Sequence, residues 1–80
     1  MDKRTKGQHA QRLLDDEVLQ MAFDGVVSYH TRTFSDVGAT DEQVLEARRD
    51  LMALKRVQGQ LRKMVSDGKI VEKDQDRGSD

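Results

Sequence analysis

Two histidines, His9 and His30, are the side chains of this 80-residue chain best suited to acid–base or metal chemistry. Neither has a second histidine or a carboxylate at the helical spacing of a metal motif such as HExxH. The sequence contains no cysteine, no glycine-rich phosphate loop and no serine in a nucleophile elbow. We therefore expect no enzyme activity, no metal and no cofactor.

A double column of cations is the strongest polar pattern in the second half of the chain. Two sets of three basic residues each repeat every seven positions, which is about two turns of an α-helix, and the sets are adjacent. All six would therefore line one side of a helix. We call this set the basic flank; it consists of Arg48, Arg49, Lys55, Arg56, Arg62 and Lys63.

Three interpretations of the basic flank are open. It can be a solvated face whose charges meet acidic residues of the same chain, such as Asp15, Asp16 and Asp24, or Glu46 and Asp50. It can contact an acidic protein partner, as charged positions beside a coiled-coil seam do. It can also contact nucleic-acid phosphates. The net charge of -1, the single tyrosine and the absence of helix-turn-helix spacing favour protein over nucleic acid.

The helix that would carry this flank is predicted from Asp41 to Asp67. Thr40 and Gln43 have the spacing of a capping box, in which each side chain accepts a hydrogen bond from the other residue's backbone N–H. Gly68 follows the last periodic residue, where a left-handed glycine commonly ends a helix. Gly59 lies within the helix. Either it lowers helix stability without a contact that requires it, or another backbone comes close there, for which the turn at residues 15–16 is the candidate.

Apolar residues recur beside the basic flank at spacings of three and four, which is typical of one face of a helix. Five of these apolar residues are candidates for contact with a partner. We call them the apolar seam; they are Leu51, Leu54, Val57, Leu61 and Met64.

Two shorter helices are predicted before the long one. The first covers residues 8–14, and the pair Asp15 and Asp16 marks a break. The second runs from about Asp16 to Thr33, and the turn covers residues 35–39. Its buried side is expected to include Val18, Leu19, Ala22, Val26 and Tyr29.

Length and composition predict a single domain. Residues 1–7 are expected to be flexible, residues 8–68 to form a helical domain, and residues 69–80 to be a disordered, charged tail. No apolar run reaches the roughly 20 residues of a membrane span, and the N-terminus lacks a signal-peptide core. We expect no membrane contact and a cytoplasmic protein.

The stretches KGQHAQRLLDDEVLQMAFDGVVSYHTRTF and ARRDLMALKRVQGQLRKMVSDGKIVE together resemble a family of small uncharacterised helical proteins of tailed-phage and prophage genomes. The resemblance lies in a leucine pair followed by acids, the Ala22-Phe23 pair, and Asp67-Gly68-Lys69 after a basic helix. Relatives often carry proline where this chain has Glu17. The resemblance implies a phage structural, assembly or accessory protein, located in the host cytoplasm or the virion, with no family activity to transfer.

Together these patterns predict an all-α fold, an antiparallel helical hairpin with a short N-terminal helix packed on it. The predicted function is non-enzymatic and uses protein–protein contacts of the long helix, with another copy of the chain or with another phage or host protein. A small nucleic-acid-binding or DNA-packaging-associated protein is the alternative, and a phage inhibitor of a host enzyme is a third.

Overall fold

Three α-helices make up almost all of the chain. The computed structural model describes the backbone of residues 1–78 and the side chains of residues 1–74. The helices are α1, Lys3–Asp15, α2, Glu17–Ser35, and α3, Asp41–Gly78. No strand is present within residues 1–78, so the predicted all-α class is confirmed for that part of the chain.

The first helix begins earlier than predicted. Asp2 is its N-cap, and the side-chain carboxylate accepts a hydrogen bond of 2.7 Å from the backbone N–H of Thr5. That hydrogen bond lowers the pKa of the Asp2 carboxyl. The predicted start at residue 8 is therefore wrong, because the cap at Asp2 makes residues 3–7 helical. Asp16 has extended backbone angles between α1 and α2, which confirms the predicted break.

The predicted buried side of α2 is wrong at four positions, because Val18, Ala22, Val26 and Tyr29 are exposed. Val18 is 74% exposed and Tyr29 is 66% exposed. Leu19 and Phe23 are half-buried, and no residue of α2 is fully buried. Because α2 is apolar on most of its circumference, its periodicity could not identify the side that packs.

The turn between α2 and α3 and the start of α3 form as predicted. The Asp36 carboxylate accepts a hydrogen bond of 2.9 Å from the backbone N–H of Gly38. The Gln43 N–H donates to the Thr40 hydroxyl oxygen at 3.1 Å, and the Thr40 N–H donates to the Gln43 side-chain oxygen at 2.9 Å. The capping box is confirmed, and it satisfies two backbone donors that a helix start leaves open.

The predicted end of the long helix at Gly68 is wrong. The helix α3 continues to Gly78, and no glycine in residues 1–78 has a positive φ angle. The residues after Gly68 include lysine, glutamate and isoleucine and no proline, so nothing in them breaks a helix. Residues 79 and 80 of the predicted tail lie outside the described residues, and the mobility assigned to residues 1–7 and 69–80 stays a prediction.

Contacts divide the chain into two compact units. Unit 1 combines Met1–Asp16 with the part of α3 that starts at Gln58, and unit 2 covers Glu17–Val57. Within residues 1–78, no helix has both the length and the apolar character that crossing a membrane requires.

Unit 1 depends on two glycines that face each other. A Cβ atom added to Gly7 would lie 2.8 Å from the Met64 carbonyl oxygen and 3.1 Å from the Cα of Gly68. A Cβ atom on Gly68 would lie 3.0 Å from the Lys3 carbonyl oxygen. Ala10 is buried beside this crossing at 2% exposure, and Arg4 pairs with Glu72 at 3.4 Å. The paired residue numbers run in opposite directions, so α1 and this part of α3 are antiparallel.

The predicted close approach at Gly59 is wrong. Apart from the neighbouring turns of α3 itself, no described heavy atom lies within 4 Å of the position that a Cβ atom would take there. The two helix backbones instead come close to each other at Gly7 and Gly68.

Unit 2 has a small core. Ala47 is 2% exposed and is the buried apolar residue of this unit among the described side chains. Nearby, His30 Nε2 lies 3.3 Å from an Asp50 carboxylate oxygen, which joins α2 to α3 within the unit.

Replacement of Gly68 by alanine tests the glycine crossing. Because the added methyl would meet backbone atoms, which cannot rotate away, we expect Gly68→Ala to lower the free energy of unfolding by about 1–3 kcal/mol. Gly59→Ala is the matched control, since it adds the same methyl in open space and should stabilise the helix by up to about 1 kcal/mol. Urea unfolding followed by circular dichroism measures both. Equal stability of the two variants would contradict the role given to Gly68.

Replacement of Thr40 tests the capping box. Thr40→Ala removes the hydroxyl that accepts from the Gln43 N–H, so we expect it to lower the free energy of unfolding by about 1 kcal/mol. Thr40→Ser keeps the acceptor and should remain close to the wild type in the same urea titration. A Thr40→Ser variant as unstable as Thr40→Ala would show that the threonine methyl, rather than the hydrogen bond, matters.

Candidate interaction surface on α3

The basic flank is exposed in both units. In unit 2 it comprises the exposed side chains of Arg48, Arg49, Lys55 and Arg56, and in unit 1 those of Arg62 and Lys63. Among the described residues, none of the six forms an ion pair with a carboxylate of the chain. The intramolecular pairing considered from the sequence is therefore not formed in this part of the chain, and the six charges face solvent.

The apolar seam is mostly used within each unit. Leu51 and Leu54 are half-buried in unit 2, and Leu61 and Met64 are half-buried in unit 1. Val57 differs, because 54% of its surface is exposed. Val57 is therefore the seam residue best placed to contact a partner.

A groove in unit 1 adds two cations that the sequence analysis missed. Lys3 and Lys6 of α1 line it together with Lys63 of α3, and Gln60, Met64 and Asp67 complete its wall. Lys3 and Lys6 were overlooked because residues 1–7 were predicted to be flexible. The cap at Asp2 was the signal that could have placed them on a helix.

Unit 2 contains a polar cavity around His30. Tyr29, Glu46 and Asp50 are among its lining residues, and the Tyr29 and His30 rings meet edge to face with centroids 5.3 Å apart. The His30 side chain is 13% exposed and that of Asp50 is 63% exposed, so the pair lies at the margin of the unit. In the described part of the chain, no group of three or more residues is arranged to hold a metal ion.

The arrangement on α3 combines uncompensated positive charge with exposed apolar surface. A protein partner with both acidic and apolar side chains would complement these two kinds of exposed surface on α3. Phosphate groups would meet the charges but would leave Val57 without an apolar contact.

Comparison with known proteins assigns no family to the chain. No protein-family model, no curated protein and no solved structure matches it significantly.

Proposed function

We propose that this chain is a non-enzymatic protein–protein interaction module that acts through α3. The observation that carries the proposal is that α3 exposes Val57 and also the six cations of the basic flank, whose charges have no acidic partner among the described residues. Apolar surface bordered by unpaired charge is characteristic of the edge of a protein interface.

The proposed biological setting is a phage or prophage, in which the chain serves as a structural, assembly or accessory protein in the host cytoplasm or the virion. Its support is the sequence resemblance described above, which covers most of the chain. The partner is a second copy, another phage protein or a host protein.

The proposed arrangement of the helices is an antiparallel hairpin of α2 and α3. The short connection between Ser35 and Asp41 supports it, because so few residues usually join antiparallel neighbours. The contact between His30 and Asp50 gives further support.

Nucleic-acid binding is the second candidate, and the six exposed cations of the basic flank favour it. A protein that neutralises phosphates with these side chains would bind duplex DNA more weakly as salt concentration rises. The two candidates therefore differ in what lies against Val57 and in how they respond to salt.

A photo-cross-linking amino acid in place of Val57 tests the proposal in the full chain expressed in bacterial cells. We expect a discrete adduct that a nuclease leaves intact and a protease destroys. The adduct should disappear in the Lys55→Glu/Arg56→Glu background, because the charges that hold an acidic partner are reversed. The same cross-linker at Val37, a fully exposed turn residue, is the matched control and should give no such adduct.

Charge-matched variants decide between protein and nucleic acid. Arg12→Glu/Lys69→Glu reverses two other exposed cations and produces the same change in net charge as Lys55→Glu/Arg56→Glu. Retention on duplex DNA at low salt that only the Lys55→Glu/Arg56→Glu variant loses would establish the nucleic-acid candidate and overturn the protein proposal. If duplex DNA retains both variants equally, or does not retain the wild type, nucleic-acid binding through Lys55 and Arg56 is excluded.

A further inference from the structure

The helix α2 is far more exposed than its composition leads one to expect. It contains valines, methionine, leucine, phenylalanine and tyrosine, with charged residues at only a few positions, yet none of its residues is fully buried. Val18 is 74% exposed, Met21 is 67% exposed and Tyr29 is 66% exposed. Helices that are apolar on most sides are normally covered by other structure.

The exposed residues form one face centred on Gly25. Val18, Met21, Gly25 and Tyr29 follow one another at spacings of three, four and four, which places them on the same side of a helix. Among the described residues, no atom from outside the neighbouring turns of α2 lies within 4 Å of a Cβ position at Gly25. A glycine at this position lowers helix stability without any contact in the chain to require it.

Unit 1 shows how this chain uses glycine between helices. There, Gly7 and Gly68 allow two helix backbones to come within contact distance of each other. Gly25 lies on a helix face with Met21 and Tyr29 and has no opposing helix among the described residues, so this face is suited to a close helix crossing.

We infer that two copies of this chain pair through the face of α2 that carries Val18, Met21, Gly25 and Tyr29. The two helices are antiparallel and cross at Gly25. This inference deepens the proposed function and rests on it in one respect, that the chain works through protein contacts. It names a second copy as a partner and assigns that contact to α2, leaving the basic flank of α3 free.

The sequence of the face fits a two-fold axis at Gly25. Met21 and Tyr29 are each four residues from Gly25, so the axis brings Met21 level with Tyr29 of the second copy. Sulfur and aromatic ring make a favourable contact. Val18 and Arg32 are each seven residues away, so the valine packs against the aliphatic stem of the arginine.

Charge complementarity selects the antiparallel orientation. Glu17 and Arg32 are both exposed, and neither has an ion-pair partner among the described residues. Antiparallel pairing brings Glu17 of each copy near Arg32 of the other, on the same side of the two-fold axis. Parallel pairing would place the two arginines together.

Sedimentation equilibrium of the full chain over a concentration series tests the inference. We expect a dimer for the wild type. Val18→Glu and Met21→Glu should each raise the dimer dissociation constant at least about tenfold, because each buries a charge in the apolar face. A glutamate at position 18 lies in the first turn of α2, where negative charge favours the helix, and circular dichroism should show unchanged helicity.

Two matched controls carry the same substitutions elsewhere. Val37→Glu changes a fully exposed valine of the turn, and Met52→Glu changes a methionine of α3 that is 46% exposed. Both should keep the dissociation constant within about twofold of the wild-type value, since neither residue lies on the α2 face.

A charge swap tests the orientation. Glu17→Arg and Arg32→Glu should each weaken the dimer, because each places like charges together twice across the axis. The double variant restores opposite charges and should return the dissociation constant to near the wild-type value. A double variant weaker than both single variants would overturn the antiparallel arrangement.

Two outcomes would overturn the pairing of α2. One is a wild-type chain that is monomeric at every concentration, and the other is a dimer that Val18→Glu and Met21→Glu weaken no more than the controls do. Neither outcome affects the adduct expected at Val57, which tests the proposed function separately. Conversely, an α2 dimer without that adduct would remove the proposed role of α3 and leave this inference in place.

Discussion

The close approach of Gly7 and Gly68 is the contact on which unit 1 depends. Among the described side chains of α1 and of the part of α3 in that unit, no large one is fully buried, so their stability comes from how closely the two backbones approach. Because Gly7 and Gly68 have no Cβ atom, many backbone and side-chain atoms of the two helices come within van der Waals distance of each other. Ala10, the small buried residue of α1, is consistent with the same requirement for a narrow gap.

Unit 2 satisfies a different constraint with different residues. Its helices meet around Ala47, and its polar edge is organised by His30 and Asp50. The apolar residues of α2 that would usually thicken such a core point elsewhere, so this unit holds its fold with little apolar burial and keeps an apolar face available. A unit of this kind gains stability when something covers that face.

Local features of the structure could be predicted from the sequence, and distant ones could not. The break at Asp16 and the capping box of Thr40 and Gln43 depend on residues within one turn of each other, so their spacing is sufficient to identify them. Gly68 has the same appearance in sequence whether it ends a helix or faces another glycine, and only the partner 61 positions away distinguishes the two. The packed side of α2 was missed because apolar side chains cover more than half of its circumference, a wider arc than the side that packs. Exposure of the basic flank was consistent with several interpretations until the positions of the carboxylates were known.

The division of α3 between two units has a consequence for the order of folding. Unit 2 is a continuous stretch of chain, and its contacts, such as that of His30 with Asp50, join residues close in sequence. Unit 1 joins the two ends of the chain and must close a loop that contains all of unit 2. The entropic cost of closing a loop is lower when the intervening residues are already compact. We therefore expect unit 2 to form first and α1 to pack against α3 afterwards. Of the three helices, α1 is synthesised before the other two and would then be the last to reach its final partner.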